Sequence, residues 1–148
     1  MTSLKLTFST PERKSLRTVY IIEDSPNEME MATEYFSKYS GISTKGFSNG
    51  EDCIKELVVS GVSPDMILID YFLDSENPGS KDGLEILVKL KELCPRSEFI
   101  MLSAVENDRI IDLARKKGAS YYVVKGAEGF RKLDSIIEYD FEVESEHE

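Results

Sequence analysis

Short runs of β-branched and aromatic residues alternate along the chain with longer segments whose apolar positions recur every three or four residues. Thr18 to Glu23 (TVYIIE) is the first such run and suits a buried strand. Asp24, Ser25 and Pro26 follow as a helix-start signature, with an N-cap candidate ahead of the proline. Residues 27–39 then set Met29, Ala32, Phe36 and Tyr39 at helical spacing, and Gly41 closes that helix. Ser43 to Phe47 predicts a weaker strand, and Asn49-Gly50 leads into a helix with Cys53, Leu57 and Val58 on one face. Pro64 precedes Met66 to Asp70, the clearest buried strand of the chain. Past a loop rich in turn residues (SENPGSKDG, 75–83), a third helix carries Leu84, Leu87, Val88 and Leu90 before Pro95 stops it. Glu98 to Leu102 predicts a fourth strand and residues 107–117 a fourth helix, with Ile110, Ile111, Leu113 and Ala114 apolar and Gly118 as its cap. Tyr121 to Val124 is the fifth strand, and Phe130 to Tyr139 the last helix, with Leu133, Ile136 and Ile137 inward.

Five short strands alternating with five helices predict a parallel sheet covered on both faces, a doubly wound α/β fold. The expected organisation is an N-terminal extension over residues 1–17, one domain over 18–139, and an acidic tail over 140–148 (DFEVESEHE). At 148 residues the chain suits one core. Acidic residues outnumber basic ones, 28 to 18, and the net charge of −10 disfavours a nucleic-acid partner. No run approaches the roughly 20 apolar residues of a membrane helix, and the start of the chain lacks a secretory apolar block. Cys53 and Cys94 have no Cys or His neighbours at metal-binding spacing, so two reduced thiols and a cytoplasmic location are expected.

In doubly wound sheets the chemistry gathers at the carboxyl ends of the strands. Here those ends carry Glu23-Asp24, Asp70, Ser103-Ala104 and Lys125. Folding requires none of them to be polar. Close carboxylates repel, and a hard divalent cation with oxygen ligands relieves that repulsion; magnesium takes one or two carboxylates together with phosphate oxygens. Asp70 can then serve as a carboxylate nucleophile toward phosphorus. Lys125 and the metal would supply positive charge, and Ser103 a hydrogen bond. Singly, each residue is as readily a helix cap or a surface charge; together, each on the correct strand end, they point to one shared site.

From about Thr18 to Tyr139 the sequence resembles the response-regulator receiver domains. The resemblance implies the flavodoxin-like strand order 2-1-3-4-5. By motif, Glu23 and Asp24 match the metal-binding acidic pair, Asp70 in PDMILID the phosphoacceptor, and Ser103 in IMLSA the responsive hydroxyl. Tyr122 and Lys125 in YYVVK resemble the aromatic switch and the phosphate-contacting lysine, and Gly83 the Asp-Gly step into the third helix. Phe72, two residues past the acceptor, would offer its backbone carbonyl as a further metal ligand. Three departures stand out: a longer loop between Asp70 and Gly83, Asp74 within it as a turn cap or a rival for the metal, and Lys125-Gly126 where the family has Lys-Pro with a cis peptide.

The resemblance implies a single-domain regulator that takes a phosphoryl group from a histidine kinase or a histidine phosphotransfer protein. It would signal to a downstream protein through the face of the fourth helix, fifth strand and fifth helix. It implies no turnover enzyme, and a monomer or weak dimer. A receiver-like module that binds partners without phosphorylation is the alternative. An aspartyl phosphatase is disfavoured because Tyr71 and Phe72 follow Asp70 where such enzymes have Asp-x-Asp. A flavin site is disfavoured because Glu23 and Asp24 would repel a phosphate.

Overall fold

A computed structural model of the chain describes residues 16–71 and 83–143. Its elements run β1 (Arg17–Ile22), α1 (Pro26–Phe36), β2 (Ile42–Phe47), α2 (Gly50–Ser60), β3 (Met66–Asp70), α3 (Gly83–Leu93), β4 (Glu98–Ser103), α4 (Asp108–Lys116), β5 (Tyr121–Val124) and α5 (Ala127–Phe141). The strands form one parallel sheet of order β2-β1-β3-β4-β5. This is the doubly wound arrangement that the alternating pattern predicts, in the flavodoxin-like order that the resemblance implies. β3 lies at its centre, and all five of its residues are buried, which is why its sequence reads as an unbroken apolar run.

Side chains alternate between two cores because successive strand residues face opposite ways. Tyr20, Ile22, Ile67, Ile69, Phe99 and Met101 pack against the apolar faces of α2 and α3. Val19, Ile21, Met66, Leu68, Ile100 and Val123 pack instead on Phe36 of α1 and on Leu133, Ile136 and Ile137 of α5. Each fully buried aliphatic side chain contributes roughly 1.5–3 kcal/mol, so these two layers supply most of the drive to fold. α1 and α5 are also tied by polar contacts. The Asp134 carboxylate accepts hydrogen bonds from the Tyr35 hydroxyl at 2.6 Å, the Lys38 ammonium at 3.0 Å and the Tyr39 hydroxyl at 3.1 Å.

Several expectations at element ends are corrected. α1 stops at Phe36, with Ser37 as its cap, so Gly41 does not close it; Gly41 adopts a φ of +86° in the turn before β2. Tyr39, expected inside the helix, lies past its end and is still buried. Val58, expected on the face with Cys53 and Leu57, is exposed, as are Val88 and Leu113, whereas Ile86 is fully buried. Lys117 rather than Gly118 caps α4, with Gly118 next in the chain at a φ of +117°. α5 starts at Ala127 and continues through Phe141, and Phe141 and Val143 of the expected acidic tail are buried in the core.

Gly129 marks the closest approach of α5 to the sheet. A Cβ there would collide with the Val124 carbonyl oxygen at the end of β5. Backbone cannot yield as a flexible side chain can. Gly129→Ala is therefore expected to lower unfolding free energy by about 3 kcal/mol, read as a shift of the urea midpoint. A loss under about 1 kcal/mol would show that α5 is free to slide away from β5.

Candidate functional site

The parallel register fixes which residues meet beyond the sheet's carboxyl edge. Ile22 pairs with both Phe47 and Ile69, Asp70 with Leu102, and Ser103 with Val124. Glu23 follows β1 directly, and its N–H donates to the Phe47 carbonyl at 3.0 Å. Glu23 and Asp70 are buried and Asp24 is exposed, yet each brings a carboxylate oxygen to within 4.8 Å of the others. Behind them the chain turns into α1. Ser25 caps that helix by accepting from the Glu28 N–H at 3.3 Å, with Pro26 entering the first turn. Gly83 lets α3 start against the backbone just past Asp70, because a Cβ there would lie 2.9 Å from Tyr71 Cα.

Burial and the neighbouring Asp70 carboxyl push Glu23 up to about 8, while the hydrogen bond from the Ser25 N–H works against that rise. Lys125 faces the acidic group across the edge. Its ammonium lies 3.4 Å from Asp70 Oδ2 and 2.8 Å from Glu28 Oε1. Burial alone would lower the Lys125 pKa, but the Glu28 hydrogen bond and the charges of Asp70 and Glu23 outweigh it and raise it. The Lys125 N–H donates to the Ser103 carbonyl at 2.8 Å, which sets the lysine beside β4. No cis peptide occurs among the described residues, so the Lys125-Gly126 bond is trans, and Gly126 adopts a φ of +135°.

Ser103 is fully buried, and its Oγ accepts from the Val105 N–H at 3.1 Å. The Tyr122 hydroxyl donates to the Val105 carbonyl at 2.9 Å, with the ring packed among the core residues of the α2–α3 face. One residue of the β4–α4 loop is thus held from both sides by the two residues expected to respond together.

The structure brings Glu23, Asp24, Asp70, Ser103 and Lys125 to one edge, with Tyr122 one contact behind. Phe72 and Asp74 lie outside the described residues. Glu28 escaped the motif reading. Its signal was the Ser-x-x-Glu spacing after Asp24, which sets it in the first turn of α1, above the same edge.

The donor set fits a hard divalent cation such as magnesium. All three candidate ligands are carboxylates with oxygens within 4.8 Å of one another, and burial and the Asp70 carboxyl both disfavour charge on Glu23. Glu23, Asp24 and Asp70 would hold the ion.

A model of the response regulator receiver domain matches residues 19–138. Over 121 residues the chain is 28% identical to the transcriptional regulatory protein MalR of Bacillus subtilis, covering 82% of this chain and 49% of that protein. It spans about half the length of the first curated relatives it matches. Among solved structures, the phosphorylated cyanobacterial phytochrome response regulator RcpA superposes with a TM-score of 0.72 at 21% identity, over 84% of this chain and 94% of that one. The Mn(2+)-bound form of response regulator Rcp1 gives 0.71 at 19% identity, over 85% and 95%. At such identities the likeness speaks for the fold.

Burial of Glu23 beside the Asp70 carboxyl should be measurable in stability. Unfolded, Glu23 ionises near its ordinary 4.5; folded, it holds its proton to about 8. The native state therefore binds more protons between those values, and its stability falls as pH rises through that window. With chelator present, Glu23→Gln is expected to flatten that fall. At pH 8 it should stabilise the protein by on the order of 1 kcal/mol, read from urea midpoints. Equal pH slopes for variant and wild type would show that Glu23 carries no such strain.

Proposed function

The chain belongs to the response regulator receiver-domain family, and we propose that it accepts a phosphoryl group on Asp70 from a histidine kinase or histidine phosphotransfer protein. The observation that carries this is the Asp70 carboxylate itself. It is buried at the sheet's edge between two further carboxylates and the Lys125 ammonium, 3.4 Å away. A structural aspartate gains nothing from two acidic neighbours, whereas a phosphoacceptor uses them through a cation.

In this reading an Asp70 oxygen bonds to phosphorus, the bond to the donor nitrogen breaks, and the donor imidazole leaves with the electron pair. Magnesium held by Glu23, Asp24 and Asp70 would neutralise charge on the transferring group when bound. Lys125, 3.4 Å from Asp70, would supply a second positive charge. The Ser103 hydroxyl, now accepting from the Val105 N–H, turns to donate to a phosphoryl oxygen and releases that N–H. Val105 then keeps its carbonyl contact with Tyr122 but not the one to Ser103, and a shift there re-weights two arrangements of the loop.

The signal leaves through the face of α4, β5 and α5. A shallow cavity of about 200 Å³ lies there, lined by Ile111, Arg115, Tyr122 and Lys132 among others. A phosphorylation-dependent protein partner on this face fits the loop's position beside it. MalR is by name a transcriptional regulatory protein.

Intact-protein mass after incubation with a small phosphodonor tests the proposal, with and without magnesium. Wild type is expected to gain one phosphoryl group only with the metal, and Asp70→Asn none. Failure of wild type to gain mass despite magnesium binding would instead favour a receiver-like module that works by binding alone.

A further inference from the structure

Glu28 occupies the third position of the first turn of α1, where a Ser-x-x-Glu pair normally closes a reciprocal cap. The serine oxygen accepts from the glutamate N–H, and the glutamate carboxylate accepts from the serine N–H. Only half of that exchange is present. Ser25 Oγ accepts from the Glu28 N–H at 3.3 Å, but the Ser25 N–H donates to Glu23 Oε2 at 3.2 Å. The Glu28 carboxylate crosses instead to Lys125, at 2.8 Å, shorter than the 3.4 Å from Lys125 to Asp70.

The three side chains form a series running outward. Asp70 is 10% exposed, Lys125 26% and Glu28 49%. The most exposed of the three, the Glu28 carboxylate, thus sits directly on the ammonium that an arriving anion would need. Glu28 and Lys125 also line one apolar cavity of about 480 Å³ that reaches Asp70, with Tyr35 and Phe130 in its wall. Their ion pair ties the start of α1 to the end of β5 beside that cavity.

We infer that Glu28 is a positioning residue that competes with an arriving phosphoryl group for the Lys125 ammonium, so that an anionic donor is accepted only by drawing Lys125 off Glu28. The inference rests on Asp70 being the phosphoacceptor. With acetyl phosphate, an Asp70 oxygen bonds to phosphorus while the bond from phosphorus to the acetate oxygen breaks. Acetate leaves with the electron pair, and the new acyl phosphate brings two negative charges within reach of Lys125. Each charge gained there favours moving the ammonium inward. Glu28 opposes that move and sets its rate.

Phosphorylation of the full chain by acetyl phosphate with magnesium, followed by intact mass, tests this on wild type, Glu28→Gln, Lys125→Ala and the double variant. Glu28→Gln is expected to be roughly threefold faster than wild type at low salt, the scale of a half-exposed ion pair. That gain should shrink near 0.5 M salt, where screening weakens the pair in wild type. It should vanish when Glu28→Gln is added to Lys125→Ala, with the slower rates followed for as long as they need. Circular dichroism on each variant reports folding separately. An unchanged rate in Glu28→Gln overturns the inference. So does an undiminished gain on the Lys125→Ala background, which would mean simple repulsion of the donor. If wild type itself acquires no phosphoryl group, the phosphoacceptor reading falls first and this inference with it.

Discussion

Two buried carboxyl groups and a third exposed one, held within 4.8 Å, set the terms for everything else at this edge of the molecule. The sheet leaves no escape. Ile22 is paired with Ile69, so the residues after β1 emerge beside the last residue of β3. Glu23 and Asp70 are too buried for water to spread their charge, and Glu23 responds by holding a proton far above its ordinary range. Such an arrangement is stable only because folding elsewhere outweighs it. The two apolar layers on either face of the sheet supply that margin. The remaining chemistry follows from the need for positive charge. Lys125 answers part of it, and the carboxylate donor set suits a divalent cation for the rest.

Much of this was legible in the sequence for a simple physical reason. A strand buried on both faces must be apolar throughout, so a polar residue at its end stands out, and Asp70 after four apolar residues is the clearest case. Glu23, Asp24, Ser103 and Lys125 could be read the same way, because in a parallel doubly wound sheet all carboxyl ends face one edge. Helix faces were less legible. Periodicity gives the direction of an apolar stripe but not its width, so Val58 read as part of an apolar face yet is exposed, as are the apolar helix positions Val88 and Leu113. The acidic tail hid its apolar members. Phe141 lies four residues past Ile137, on the same helical face, and its ring takes the Arg17 guanidinium at 5.5 Å from its centre. Charge composition masked that spacing. Glu28 escaped for another reason: its partner is 97 residues away, and only the diversion of the Ser25 N–H to Glu23 leaves its carboxylate to reach so far.

The side chains that would meet a phosphoryl group already have partners in this structure. Lys125 is shared between Asp70 and Glu28, and the Ser103 oxygen is held by the Val105 N–H. Under the proposed function this changes what activation means. Groups waiting free would bind the anion with their whole interaction energy and leave the fold as it was. Groups that must first give up a partner contribute only a difference, and each surrendered partner is itself displaced. Neutral and half-exposed contacts of this kind are worth about 1 kcal/mol apiece, so the exchange lies close to balance. A near-balanced exchange is what a reversible switch needs, because a few kcal/mol from the new covalent group suffices to tip it. The geometry also divides the consequences. Releasing Glu28 loosens α1 from the end of β5, while releasing Val105 frees the loop that Tyr122 holds from the other side. Under that function, one buried anion would act on two separate places, the junction of α1 with the end of β5 and the α4–β5 face, through two different hydrogen-bond exchanges.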